Sequence, residues 1–110
     1  MDYVIIEKGK NEWAIVDKNK TVIDTITKDI IINRCERNLG NDNADRADYM
    51  NANGLIDDVW CAIQDEYDLE FVDDRYQEWE KFCAWFDYIV VEYFANKIIA
   101  FYKQRLLDFE

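Results

Sequence analysis

Apolar residues along Asp74–Glu110 recur at intervals of three and four: Tyr76, Trp79, Phe82, Cys83, Phe86, Ile89, Val90, Tyr93, Phe94, Ile98, Phe101, Tyr102. That is the period of a helix with a wide apolar stripe, and neither Gly nor Pro interrupts it. Near the start of the chain the period is two. Residues 3–7 (YVIIE), 13–17 (WAIVD) and 21–26 (TVIDTI) are rich in Val, Ile, Thr and aromatics. GlyLys after Lys8 and LysAsnLys after Asp17 separate them as polar turns, which predicts a three-stranded antiparallel β-meander. Alternation places Trp13, Ile15 and Asp17 on one side and Ala14 and Val16 on the other, and both sides are apolar enough to be buried.

Thr27 precedes a short helical run, Ile30, Ile31, Arg34, Cys35, Asn38. A hydroxyl there can accept the free amides of a first turn, Asp29 suits the positive end of the helix, and Gly40 suits its finish. A helix over 28–39 follows. The polar stretch Gly40–Gly54 is predicted as a loop carrying at most a helical turn at 44–50. Its Asp and Asn residues do not make a calcium loop. With Gly54 at the sixth position, Tyr49 and Trp60 would stand where carboxylates are required.

Leu55–Tyr67 predicts a second helix with Leu55, Ile56, Val59, Trp60 and Ile63 inside and Asp57 and Asp58 in the first turn. A connector, Asp68–Asp73, leads into the aromatic segment. As one straight helix, 74–108 would be roughly 52 Å long, against about 34 Å for a compact domain of this length. The segment therefore either breaks near Asp87–Tyr88 or projects and pairs with another copy as a homodimer. The β-branched run Ile89–Val91 weakens the helix slightly. The fold class expected is α+β within one domain: meander and first helix over 1–40, loop over 41–54, helical half over 55–110.

Composition supports a core: half of the 110 residues are hydrophobic and 15% are aromatic. The window Cys83–Tyr102 is apolar at 16 of 20 positions, but Asp87, Glu92 and Lys97 interrupt it. Each charge would cost roughly 2.5–3.5 kcal/mol at a bilayer centre, so a buried helix is expected and no membrane span. The start, MDYVIIEK, has neither a basic region nor an apolar signal core. Cys35, Cys61 and Cys83 are widely spaced with no CxxC, as reduced thiols in a cytoplasmic protein would be.

The chain has no His, Ser or Pro. The usual general base near neutral pH is absent, serine-hydrolase arrangements are excluded, and a Cys nucleophile would lack an imidazole. The expectation is a protein that is not an enzyme and uses no cofactor.

The net charge of −11 is concentrated. Residues 1–40 and 81–110 are each neutral. Residues 57–80 carry ten acids (Asp57, Asp58, Asp65, Glu66, Asp68, Glu70, Asp73, Asp74, Glu78, Glu80) against Arg75 alone. Such a cluster opposes its own folding by self-repulsion. Three readings compete: a solvated face that confers solubility, a surface for a strongly basic protein, and a divalent-metal site of a nuclease or phosphatase type. Aromatics lie among the acids (Trp60, Tyr67, Phe71, Tyr76, Trp79), and aromatics anchor protein interfaces. No motif selects which carboxylates would converge on a metal. The binding reading is favoured, with Asp57, Asp58, Asp65, Glu66, Asp68, Glu70, Asp73, Asp74 and Glu78 supplying charge and Tyr67 or Tyr76 as anchors.

Basic clefts commonly hold nucleic acid, and a DNA strand carries one charge per ~3.4 Å. Ten acids over 24 residues give one per ~3.6 Å if helical. The same charge repels DNA and RNA themselves. In size, acidity, aromatic content and the patch at Asp57–Glu80, the chain resembles small phage-encoded anti-defence proteins of the anti-CRISPR and DNA-mimicking antirestriction kinds. No sequence motif carries the resemblance, so it assigns no functional residue. It implies a partner that is a nuclease, blocked at its nucleic-acid site. The alternatives are an oligomeric scaffold or regulatory subunit assembled through the aromatic helix, and a carboxylate-based metal enzyme.

Overall fold

The computed structural model describes residues 3–39 and 52–108. Three strands, β1 (Val4–Gly9), β2 (Glu12–Val16) and β3 (Val22–Thr27), form an antiparallel meander in the order β1-β2-β3. Each turn places one residue in left-handed backbone. Lys10 and Asn11 close the first hairpin, with Asn11 at φ 61°. In the second, the Asp17 carboxylate accepts the amides of Asn19 and Thr21 at 2.8 and 2.9 Å, and Lys20 takes φ 63°.

Helix α1 (Lys28–Leu39) begins where the sequence predicts. The Thr27 hydroxyl accepts the Ile30 amide at 3.3 Å, and Asp29 lies in the first turn. Helix α2 (Ala52–Glu66) starts three residues before the expected Leu55 and ends one before Tyr67. Gly54 and Trp60 both lie within it, so no calcium loop spans them. The loop turn expected at 44–50 falls outside the described residues. A short 3₁₀ turn (Leu69–Phe71) follows, then α3 (Gln77–Asp108), 32 residues without a break.

The inner sheet face and all three helices share one core. Ile5, Trp13, Ile15 and Ile26 from the strands meet Ile31 and Cys35 of α1, Val59 and Ile63 of α2, and Phe82, Phe86, Val90 and Phe94 of α3. Phe82 is fully buried at the hub of a ring cluster, 5.7 Å from Trp13 in an edge-on contact. Trp79, Trp85, Trp60 and Phe86 surround it at 5.7–6.3 Å. Trp85 donates its indole N–H to Asn11 Oδ1 at 3.1 Å, fastening α3 to the first hairpin. Ala14 and Val16 lie on the opposite sheet face, outside this cluster, and are buried as well.

No break occurs near Asp87–Tyr88, both exposed; the helix takes the other course that its length allows and projects. Among the described side chains of α3, Phe94 is the last in the core. The helix, about 48 Å long at 1.5 Å per residue, runs on beyond it, and the molecule measures 61 × 23 × 21 Å. Among the described residues, no helix is long and apolar enough to cross a membrane.

Candidate functional site

The acidic stretch is carried by α2, the connector and the first turns of α3. On α2, Val59 and Ile63 face the core, and the helical period then puts Asp57, Asp58 and Asp65 on the solvent side with Cys61; all four are exposed. The connector is held at several points. Asp68 takes a left-handed conformation, φ 51°, which reverses the chain after α2. Leu69 and Val72 are buried, so Glu70 and Phe71 turn outward. Tyr3 donates its amide to the Phe71 carbonyl at 3.3 Å, and Asp73 donates to the Tyr3 carbonyl at 2.7 Å. This parallel bridge between Tyr3 and Val72 secures the connector beside β1.

Asp73 is the one buried charged residue of the described chain. Its carboxylate accepts the Arg75 amide at 3.0 Å, Nε at 2.9 Å and Nη2 at 2.6 Å. These bonds, above all those from the guanidinium, hold its pKa down at about 2. Asp73 thus fastens the bend that leads into α3. Glu66 is also engaged: its carboxylate meets Arg34 of α1 at 2.5 Å. Beside that pair lies a small cleft of about 120 Å³, lined by Ile30, Asn33, Arg37 and Tyr67. Tyr67 is half-buried there, and its phenol pKa is raised, first by burial and then by Glu66 and Asp24.

The other eight acids, Asp57, Asp58, Asp65, Asp68, Glu70, Asp74, Glu78 and Glu80, are exposed. Among the described residues, none of the eight has a basic partner. Asp65, Asp68 and Glu70 converge with Gln64 around an open depression of about 220 Å³. No group of three His, Cys, Asp or Glu side chains among the described residues could hold a metal ion.

The aromatics divide likewise. Trp60 and Trp79 pack together, 6.2 Å between ring centres, against the core. Tyr76 is 53% exposed and Phe71 50%. Tyr76 was expected as an anchor. Phe71 was not: its outward direction depends on the burial of Leu69 and Val72 on either side, and the run Leu-Glu-Phe-Val does not reveal which of its apolar residues is left outside.

The three cysteines are free. Cys35 is buried, which pushes its thiol up to about 12; Cys83 is also raised, by burial first and then by Asp87 and Glu80.

No family model, curated protein or solved structure matches this chain.

Proposed function

We propose that the chain is a non-enzymatic inhibitor that sets its acidic surface into the basic groove of a nucleic-acid-processing protein, a nuclease of the kind that anti-CRISPR and antirestriction proteins block. The supporting observation is that eight of ten clustered carboxylates are exposed and, among the described residues, without a basic partner, while the remaining two fasten the frame that presents them. A surface built only for solubility has no need of a connector fixed to β1, buried at Leu69 and Val72 and clamped by Asp73 and Arg75. In a basic groove the carboxylates gain the counter-charges they lack in the free chain. Phe71 and Tyr76 stand beside them as half-exposed rings that an interface would desolvate. Electrostatic steering makes such association fast at low salt and slower as ionic strength rises.

The test uses the immobilised chain to capture protein from a bacterial lysate at low salt, with elution by a salt gradient. The captured nuclease is then challenged with the duplex DNA or guide RNA that it binds, which should displace it. Reversal of Asp65, Asp68 and Glu70 to Lys leaves Glu66 on Arg34 and Asp73 on Arg75, so circular dichroism should be unchanged. Close charge pairs at interfaces couple by about 1.5–7 kcal/mol, so the triple variant should bind about 100-fold more weakly or worse. Wild-type affinity in that variant, or a captured partner that nucleic acid fails to displace, removes the proposal.

A further inference from the structure

Helix α3 carries a second apolar stripe on the side away from the core. The core-facing positions are Phe82, Phe86, Val90 and Phe94. Half a turn around the helix, Ala84, Tyr88, Val91, Ala95 and Ile99 follow one another at spacings of four, three, four and four. All five are exposed, Tyr88 by 67%, Val91 by 50% and Ile99 by 51%. Spacing of this kind is the seam of a helix that packs along another helix. The region beyond Phe94, residues 95–108, is helical, and Ala95, Ile99 and Ala100 on it are exposed. A helix of that length is marginal in water unless its apolar side is covered.

The charges along α3 indicate what covers it. Residues 77–92 carry Glu78, Glu80, Asp87 and Glu92 against Lys81, whereas residues 93–108 carry Lys97, Lys103 and Arg105 against Asp108. The helix is negative in its first half and positive in its second. A parallel partner would lay acid on acid, and an antiparallel copy lays each acidic half along a basic one. The same arrangement brings the projecting half of each helix onto the outer stripe of the other. The two bodies stay apart, because each sits on the first half of its own helix and on the side opposite the seam.

We infer that two copies of this chain pair through α3 as an antiparallel dimer, with the two-fold axis close to Val91. Ala84 of one copy then lies near Ile99 of the other. A two-fold interface of this kind uses the same patch on both subunits, and the acidic surfaces on α2 and the connector remain outside it. This inference stands independently of the inhibitory role.

Sedimentation equilibrium of the wild-type chain should give twice the monomer mass, and Tyr88→Glu with Val91→Glu should halve it. Circular dichroism tells whether that variant remains folded. A second measurement does not depend on it. In a Cys61→Ser, Cys83→Ala background, a short thiol cross-linker should join Val91→Cys to itself. Ala84→Cys and Ile99→Cys should each stay unlinked alone and link when mixed. A monomer mass at every concentration overturns the inference, as does self-linking of Ala84→Cys, which marks a parallel pair.

Discussion

Asp73 shows how a single residue can be charged without belonging to the charged surface. Its carboxylate is tied to Arg75 through three hydrogen bonds and titrates near 2, below its ordinary 3.8. A carboxylate held low contributes stability above its unfolded pKa and loses it as pH falls through the folded value. That contribution is therefore complete above about pH 4 and gone by about pH 2. Arg75→Ala should move acid unfolding to higher pH, and Asp73→Asn should flatten the pH dependence between 4 and 2. Acid titrations followed by tryptophan fluorescence check both. Lys20 offers a test of a different kind. It is exposed and holds φ 63°, a region that costs an L-residue roughly 1–2 kcal/mol. Glycine avoids that cost and loses about 0.5–1 kcal/mol in chain entropy. Lys20→Gly should therefore raise stability by up to about 1.5 kcal/mol, read as a higher urea midpoint with an unchanged slope.

At the scale of elements, the sequence was most legible where period and end signals agree. The meander, the Thr27 cap and the inner faces of α1 and α2 all follow from residues close in sequence. The continuity of α3 was only half legible, because length left two outcomes, a break near Asp87–Tyr88 or a helix that projects. What decides it is how far the helix runs out from the body, a fact of tertiary packing that the pattern of one helix does not contain. The acidic site divides in the same way. The concentration of charge was plain from counting, whereas the inward turn of Asp73 and the pairing of Glu66 with Arg34, 32 residues distant, depend on tertiary contacts. Phe82 is the element-scale test. It is fully buried and in ring contact with four neighbours besides Phe86. Phe82→Ala removes the residue through which strand β2, α2 and α3 meet, and should cost about 3–5 kcal/mol, measured by urea unfolding.

For the whole molecule, solubility and binding make different demands on the same acids. Eight exposed carboxylates, without basic partners among the described residues, repel one another, and salt screens that repulsion over a length of about 10 Å at 0.1 M. Raising the salt from very low levels should therefore raise the melting temperature of the free chain. Neutralising Asp65, Asp68 and Glu70 to Asn, Asn and Gln should do so without salt and leave a smaller salt response. Both readings predict that gain, since it concerns only the folded chain and its own charges. They part on the partner. If the carboxylates are a solvated face, the neutral variant is simply a more stable protein. If they meet a basic groove, the same variant binds more weakly as it becomes more stable, the exchange found where function is drawn from strained or self-repelling sites. Melting temperature and affinity measured together on this one variant therefore separate the two: a gain in both, or a gain in stability with affinity unchanged, leaves the acidic surface without a binding role.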